Sequence, residues 1–206
     1  MTAAPPRYRL VELSPEALAG HLGEALDIYV SAMGYPPSTG RARRSLWLEH
    51  ARRPGWRSAG WVGPAGELIA IAYGYRGGPG QWWFEEVRRG LRMTAPDQQG
   101  WLTDYFELTE LHVRPDAQGA GLGEGLLRAL VAGTDRARVL LSTPEHLPRP
   151  PSRAWRLYRR LGFVDVLREH RFAGDSRLFA VLGRSLPLDA AAAPAPPTPP
   201  LRHGMP

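Results

Sequence analysis

Four glycines recur at alternate positions, Gly119, Gly121, Gly123 and Gly125, between two segments of opposite periodicity. Before them, Asp104 to Val113 reads as a strong β-strand. After them, Gly123 to Val131 reads as a helix with Leu126, Leu127, Leu130 and Val131 inward. A strand feeding a helix through so many glycines constrains the fold tightly. Glycine admits positive φ and close approach of a ligand to the backbone. The free amides at the helix start, aided by the helix dipole, bind anionic oxygens. The segment Gln118 to Gly123 therefore reads as an anion cradle suited to a pyrophosphate. It is not a dinucleotide fingerprint, which needs glycines at positions one, three and six. Counted from Gly119 the sixth position is Glu124, and from Gly121 it is Leu126.

Composition removes several chemistries. The chain of 206 residues has no cysteine, which excludes disulfides, thiolate metal sites and cysteine nucleophiles. It has no lysine either, so all 26 basic residues are arginine. A Walker A lysine, a kinase strand lysine and a Schiff-base lysine are excluded together. The six histidines show no ligand spacing, and no metal is expected. No Gly-x-Ser-x-Gly element occurs, which argues against serine hydrolysis. The formal charge of +6 suits phosphate-bearing partners. The arginines are scattered, however, with short clusters only at Arg41, Arg43, Arg44 and at Arg52, Arg53, and read mainly as a solvated basic surface. The first fifteen residues hold early prolines and no apolar core of a signal peptide. No apolar run approaches the roughly 18 residues of a spanning helix. A soluble, cytoplasmic protein with no membrane partner is expected.

The rest of the chain alternates helical and strand patterns. Tyr8 to Leu13 reads as a strand, and Ser14-Pro15-Glu16 as a helix start. One helix is expected from there to Gly34, and a second over Ala42 to Arg53. Ser58 to Val62 and Leu68 to Tyr75 flank a Gly63-Pro64-Ala65-Gly66 turn and predict an antiparallel hairpin. A short helix is expected over Trp82 to Met93, then a polar loop around Pro96 to Gly100. Val139 to Ser142 reads as a strand, Ser152 to Leu161 as a helix, and Phe163 to Arg168 and Leu178 to Gly183 as a final pair of strands. The fold class is α/β. A single domain over residues 1–186 is expected, with an alanine- and proline-rich disordered tail over 187–206.

Two blocks carry a family resemblance. Val113-Arg114-Pro115 followed by Gln118-x-x-Gly121-x-Gly123 resembles the coenzyme A pyrophosphate motif of GNAT acetyltransferases. Ala154-Trp155-Arg156-Leu157-Tyr158-Arg159-Arg160-Leu161-Gly162-Phe163 resembles that family's Ala-x-x-Leu-Tyr-x-x-x-Gly-Phe segment. The resemblance covers about Tyr8 to Gly183. It implies a mixed, mainly antiparallel sheet with helices on both faces and a central strand pair that splays after Val113. It implies acetyl-CoA as donor, with amides of Gln118, Gly119, Ala120, Gly121, Leu122 and Gly123 on the pyrophosphate. The backbone of Leu111, His112 and Val113 would pair with pantetheine, and Tyr158 would lie near the sulfur. Many members carry an asparagine where this chain has Pro151; Ser152 is the neighbour that could replace its contact.

Acetyl transfer to an amine needs a base, because an amine protonated at neutral pH must lose a proton before it attacks. Glu107 and Glu110 are the candidates, both inside an otherwise apolar strand. Regular alternation puts residues three apart on opposite faces, so only one would face the acceptor unless a bulge intervenes. The resemblance favours Glu107, eleven residues before Gln118. Tyr158 could protonate the departing thiolate. Trp82, Trp83, Trp101, Tyr73 and Tyr75 form an aromatic-rich region, read as packing more than as an acceptor wall. The function expected is acetyl transfer to a primary amine of a small molecule or a protein N-terminus. The rivals are a non-catalytic acetyl-CoA-binding regulator and an arginine-based nucleic-acid-binding module.

Overall fold

A computed structural model describes residues 8–145 and 152–189. Pro151 and the bulk of the expected tail lie outside the described residues. The chain divides into two compact units, one of residues 1–76 with 106–135 and one of residues 77–105 with 136–206.

In the first unit, four antiparallel strands lie in sequence order: β1 (Arg9–Glu12), β2 (Arg57–Val62), β3 (Leu68–Arg76) and β4 (Tyr105–Val113). The hairpin between β2 and β3 closes as expected, with Gly66 at φ +87° and the Gly63 amide donating to the Glu67 carbonyl at 2.9 Å. Ser14 caps the first helix by accepting from the Ala17 amide at 3.2 Å. The single helix expected up to Gly34 is two: α1 (Pro15–Gly20) and α2 (Leu22–Met33), divided at His21. Gly34 ends α2 in the left-handed region, at φ +67°. Helix α3 (Pro37–His50) starts five residues earlier than its apolar pattern suggests, because Pro37 with its fixed φ opens the first turn. Helix α5 (Leu122–Ala132) follows the glycine turn.

These helices cover both faces of the strands. Ile71, Tyr73 and Tyr75 of β3 pack in one core with Leu22, Leu26 and Tyr29 of α2 and Trp47 of α3. Ile69, Trp61 and Val113 cluster instead with Leu122 of α5. One irregularity governs the arrangement of β4. Tyr73 lies opposite Glu110 and Gly74 opposite Leu108, so Thr109 has no partner on β3. It is a β-bulge, one extra residue on β4. The bulge needs Gly74: a β-carbon there would sit 2.2 Å from the Glu107 carbonyl oxygen and 2.5 Å from the Phe106 ring.

The second unit holds α4 (Trp82–Thr94), a 3₁₀ segment (Pro96–Leu102), and an antiparallel sheet of β5 (Arg138–Pro144), β7 (Phe179–Ser185) and β6 (Val164–His170), in that spatial order. Helix α6 (Arg153–Arg160) precedes β6. Trp83, Phe84, Val87 and Leu91 of α4 form its core with Trp101, Leu140, Val166 and Val181. The polar loop expected near Pro96 is the 3₁₀ segment, with Trp101 1% exposed. Among the described residues no helix is long and apolar enough to cross a membrane.

A side chain at Gly74 should therefore strain the bulge. Gly74→Ala is expected to destabilise the protein by about 1–3 kcal/mol, the usual range for overpacking. Gly78→Ala, where a β-carbon meets nothing within 4 Å, should stay within about 0.5 kcal/mol. Urea denaturation of both variants checks the contrast.

Candidate active site

The bulge resolves which faces the two glutamates take. Glu107 lies opposite Tyr75, and Glu110 opposite Tyr73. Cross-strand partners share a face, and Tyr73 and Tyr75 are two apart in a regular strand. Glu107 and Glu110 therefore share one face, against the expectation from regular alternation. His112, opposite Ile71, joins them.

Glu107 is 3% exposed. Tyr75 donates its hydroxyl to Oε1 at 2.9 Å. Oε2 is buried and has no hydrogen-bond partner; the Thr109 hydroxyl is directed to the Glu107 carbonyl at 3.4 Å. Burial raises the Glu107 pKa to about 7, against the opposing pull of the Tyr75 hydrogen bond, the Arg53 charge and the nearby Thr109 hydroxyl. A carboxyl poised there exchanges a proton readily near neutrality.

Its surroundings are aromatic. The Arg53 guanidinium carbon lies 4.6 Å from the Tyr75 ring centroid, and the His50 ring meets Tyr75 edge-on at 5.2 Å. His50 Nδ1 and the Tyr73 hydroxyl are 3.1 Å apart. Burial lowers the His50 pKa to about 4, so the ring is neutral near pH 7. Burial also pushes both tyrosine hydroxyls upward, keeping them protonated. Glu110 is bound instead to His112, at 2.6 Å between Oε2 and Nε2, and the His112 ring packs edge-on against Tyr29 at 5.1 Å. The two glutamates thus differ: one oxygen of Glu107 is unpartnered, whereas Glu110 is held by an imidazole.

At the far end of β4 the glycine turn has the geometry of a cradle. Gly119 and Gly121 lie at φ +93° and +80°, and a β-carbon on either would meet nothing within 4 Å. Their role is conformational, and the space above them is clear of protein. Gly121 is the N-cap of α5 and no side chain caps that helix. Its first-turn amides, including those of Leu122 and Gly123, have no carbonyl one turn back to accept them. Gln118 ties the turn to the strand by donating to the Val113 carbonyl at 3.1 Å. Ala120 lies between the two left-handed glycines and is exposed. Gly125 differs, since a β-carbon there would meet the Trp61 ring at 2.8 Å. Trp61 Nε1 donates to the Leu122 carbonyl at 2.9 Å, seating α5 on β2. A pyrophosphate fits this donor set: backbone amides, left-handed glycines and a helix start.

The remaining expected residues lie in the second unit. Ser152 caps α6, its hydroxyl accepting from the Trp155 amide at 3.1 Å. Tyr158 is buried, with its ring 5.5 Å from that of Phe163. Trp83 and Trp101 are core residues of this unit, whereas Trp82 is 56% exposed and leans on Phe172 at 5.4 Å. The aromatic-rich stretch of sequence is therefore divided between two cores. A cavity of about 550 Å³ in the first unit, lined by Glu12, Ser14, Arg53 and Trp56 among others, includes none of the site residues expected from the sequence. Sequence reasoning also missed Tyr75 as the Glu107 partner, Gly74 and Arg53.

Comparison with known proteins identifies the family. A GCN5-like protein acetyltransferase of Mycobacterium tuberculosis (strain ATCC 25618 / H37Rv) is 47% identical over 203 residues, covering 87% of this chain and 98% of that protein. The chain belongs to the GNAT acetyltransferase family. The model of an acetyltransferase (GNAT) domain matches residues 82–165. A protein of Desulfovibrio desulfuricans assigned to the GNAT family has a similar fold, with a TM-score of 0.61 at 16% identity, over 87% of this chain and 99% of that one. The ribosomal-protein-S18-alanine N-acetyltransferase of Escherichia coli has a TM-score of 0.56 at 16% identity, over 87% and 94%. The mixed, mainly antiparallel α/β class expected from sequence is that of this GNAT family, whose members are acetyltransferases that use acetyl-CoA.

The raised pKa of Glu107 has a measurable stability consequence. Its unfolded value is 4.5 and its folded value about 7, so the folded state holds the proton more tightly. Wild-type stability must then fall as pH rises through that window. At about 1.4 kcal/mol per unit the full effect is of order 3 kcal/mol. Glu107→Gln removes the titration. Its stability relative to wild type should rise by that order between pH 4.5 and pH 8, with His50 titrating alike in both proteins. Denaturant melts across that range test this.

Proposed function

We propose that this GNAT enzyme transfers the acetyl group of acetyl-CoA to a primary amine, with Glu107 as the base. The observation that carries the reading is the buried Glu107 carboxyl, poised near pH 7 with Oε2 unpartnered, on the strand that runs into the glycine cradle. Acetyl-CoA supplies an activated carbonyl whose carbon–sulfur bond breaks on attack. Amides from Gln118 to Gly123 hold its pyrophosphate, and the backbone of Leu111, His112 and Val113 pairs with pantetheine. Ser152 takes the place of the missing asparagine contact.

Glu107 accepts the proton of the incoming ammonium, directly or through a water, which leaves the neutral amine that attacks. The carbonyl carbon gains its bond to nitrogen as the sulfur departs with the electron pair. Tyr158 gives that sulfur a proton, and the second proton shed by the nitrogen as the amide forms returns to the Tyr158 oxygen through water, so that the products are the neutral amide and the free thiol. Glu110, held by His112, is the second candidate for the base. The name of the Mycobacterium tuberculosis relative favours a protein acceptor, so we take the amine to be one carried on a protein. Residues 1–186 form the catalytic domain in this reading, and 187–206 are dispensable for it.

Ligand binding has two expected outcomes. Acetyl-CoA at a hundred times its dissociation constant should stabilise the fold by about 2.7 kcal/mol, and NAD should not. Gly121→Asp should abolish that shift while the protein stays folded, because aspartate tolerates the left-handed region better than most residues yet repels the pyrophosphate. Thermal melts with each ligand measure both. In a turnover assay following free thiol, Glu107→Gln should lower the rate by about 10²–10⁴-fold with acetyl-CoA affinity unchanged. Its residual activity should climb with pH as the free amine fraction grows. Tyr158→Phe should lose less, because a thiol of pKa near 8.5 is a fair leaving group unaided, and should keep the wild-type acid limb. Full activity in Glu107→Gln would remove Glu107 from the mechanism.

A further inference from the structure

We infer that Tyr75 is a positioning residue for Glu107, holding Oε1 by its hydrogen bond so that Oε2 is the oxygen left to take the proton of the acceptor amine. The inference rests on the reading of Glu107 as the base. A glutamate carboxyl is free to turn about its last torsion, which is broad and two-fold. Either oxygen then faces the acceptor unless one is anchored. Tyr75 is the anchor that the register supplies, since it lies directly opposite Glu107 on β3 and donates at 2.9 Å. The Tyr75 ring is itself fixed. Arg53 lies over its face at 4.6 Å and His50 meets it edge-on at 5.2 Å. Tyr75 is 1% exposed, so water does not compete for its hydroxyl.

Among the described residues, the other groups facing this carboxyl act on it more weakly than Tyr75 or are bound elsewhere. From β3, Tyr73 is engaged with His50. From α3 and the turn that follows, His50 is neutral near pH 7, and Arg53 is a cation paired with Glu49 at 3.3 Å. From β4, the Thr109 hydroxyl is directed to the Glu107 carbonyl at 3.4 Å and also lowers the pKa of the carboxyl, while Glu110 and His112 hold each other. Tyr75 is thus the stronger of the two donors acting on the carboxyl, and its 2.9 Å bond falls on Oε1. In the step it serves, an N–H bond of the ammonium breaks and the proton bonds to Oε2. Tyr75 keeps its own proton throughout. A donor to the carboxylate form also restrains the basicity of Glu107.

The test follows the ¹³C resonance of the Glu107 carboxyl with pH in the free protein, assigned by its loss in Glu107→Gln. Tyr75→Phe keeps the ring and removes the donor, so the titration should move upward by about one pH unit. The acid limb of kcat/KM should follow it, with KM for acetyl-CoA unchanged. Incorporation of 3-fluorotyrosine at position 75 strengthens the donor at little steric cost and should move the titration downward. That variant decides the matter even if Tyr75→Phe folds poorly. A titration that stays in place in the fluorotyrosine protein overturns the positioning role. If the titrations move as expected but Glu107→Gln retains the acid limb, it is the base assignment that fails.

Discussion

The carbonyl oxygen of Glu107 comes within 2.2 Å of the point where any side chain on Gly74 would begin. That approach is possible only because Gly74 has no β-carbon, and it is what lets β4 carry one residue more than β3. The rest of the candidate site depends on it. The extra residue, Thr109, brings Glu107 round to the face of Glu110 and His112 and opposite Tyr75. Had the strands paired regularly, the two acids would lie on opposite faces of the sheet.

The site so formed runs against the ordinary economy of a core. A fully buried carboxyl with one unpartnered oxygen is destabilising once ionised, since burial disfavours charge. The surroundings offset only part of that. Tyr75 bonds one oxygen, and Arg53 lies over the Tyr75 ring. They leave the acid with a raised pKa of about 7. Structural acids in the same chain are treated differently: Glu145 is held by Arg168 and by the Glu169 amide, and Glu86 by Arg89 and the Ala173 amide. The contrast sets Glu107 apart from acids that serve the fold.

Much of this was legible in the sequence and some was not, for physical reasons. The glycine turn was legible because positive φ leaves a residue-type signature, and Gly119 and Gly121 do adopt it. Strands β2 to β4 were legible as apolar runs bounded by turn residues, since they are buried on both faces, and helix α5 by its helical period. The division between α1 and α2 was hidden, because Leu18, Leu22 and Leu26 keep helical spacing across His21. The bulge was hidden too. Threonine is an ordinary strand residue, and Gly74 declares its purpose only when the neighbouring strand is present. Sequence could name Glu107 and Glu110 as candidates, but their shared face and their different partners came from the register between strands.

The bulge also divides β4 into two runs of opposite phase. Residues 105–108 keep one alternation and residues 110–113 the other, with Thr109 as the joint. The acid belongs to the first run, and the segment leading into the glycine turn to the second. Loss or gain of a single residue at that joint would rotate Glu107 to the other side of the sheet while His112 and Val113 kept their places. A lineage could thus lose the acid and keep the cradle through one codon, which offers a simple route from a catalyst to a mere binder of the same ligand.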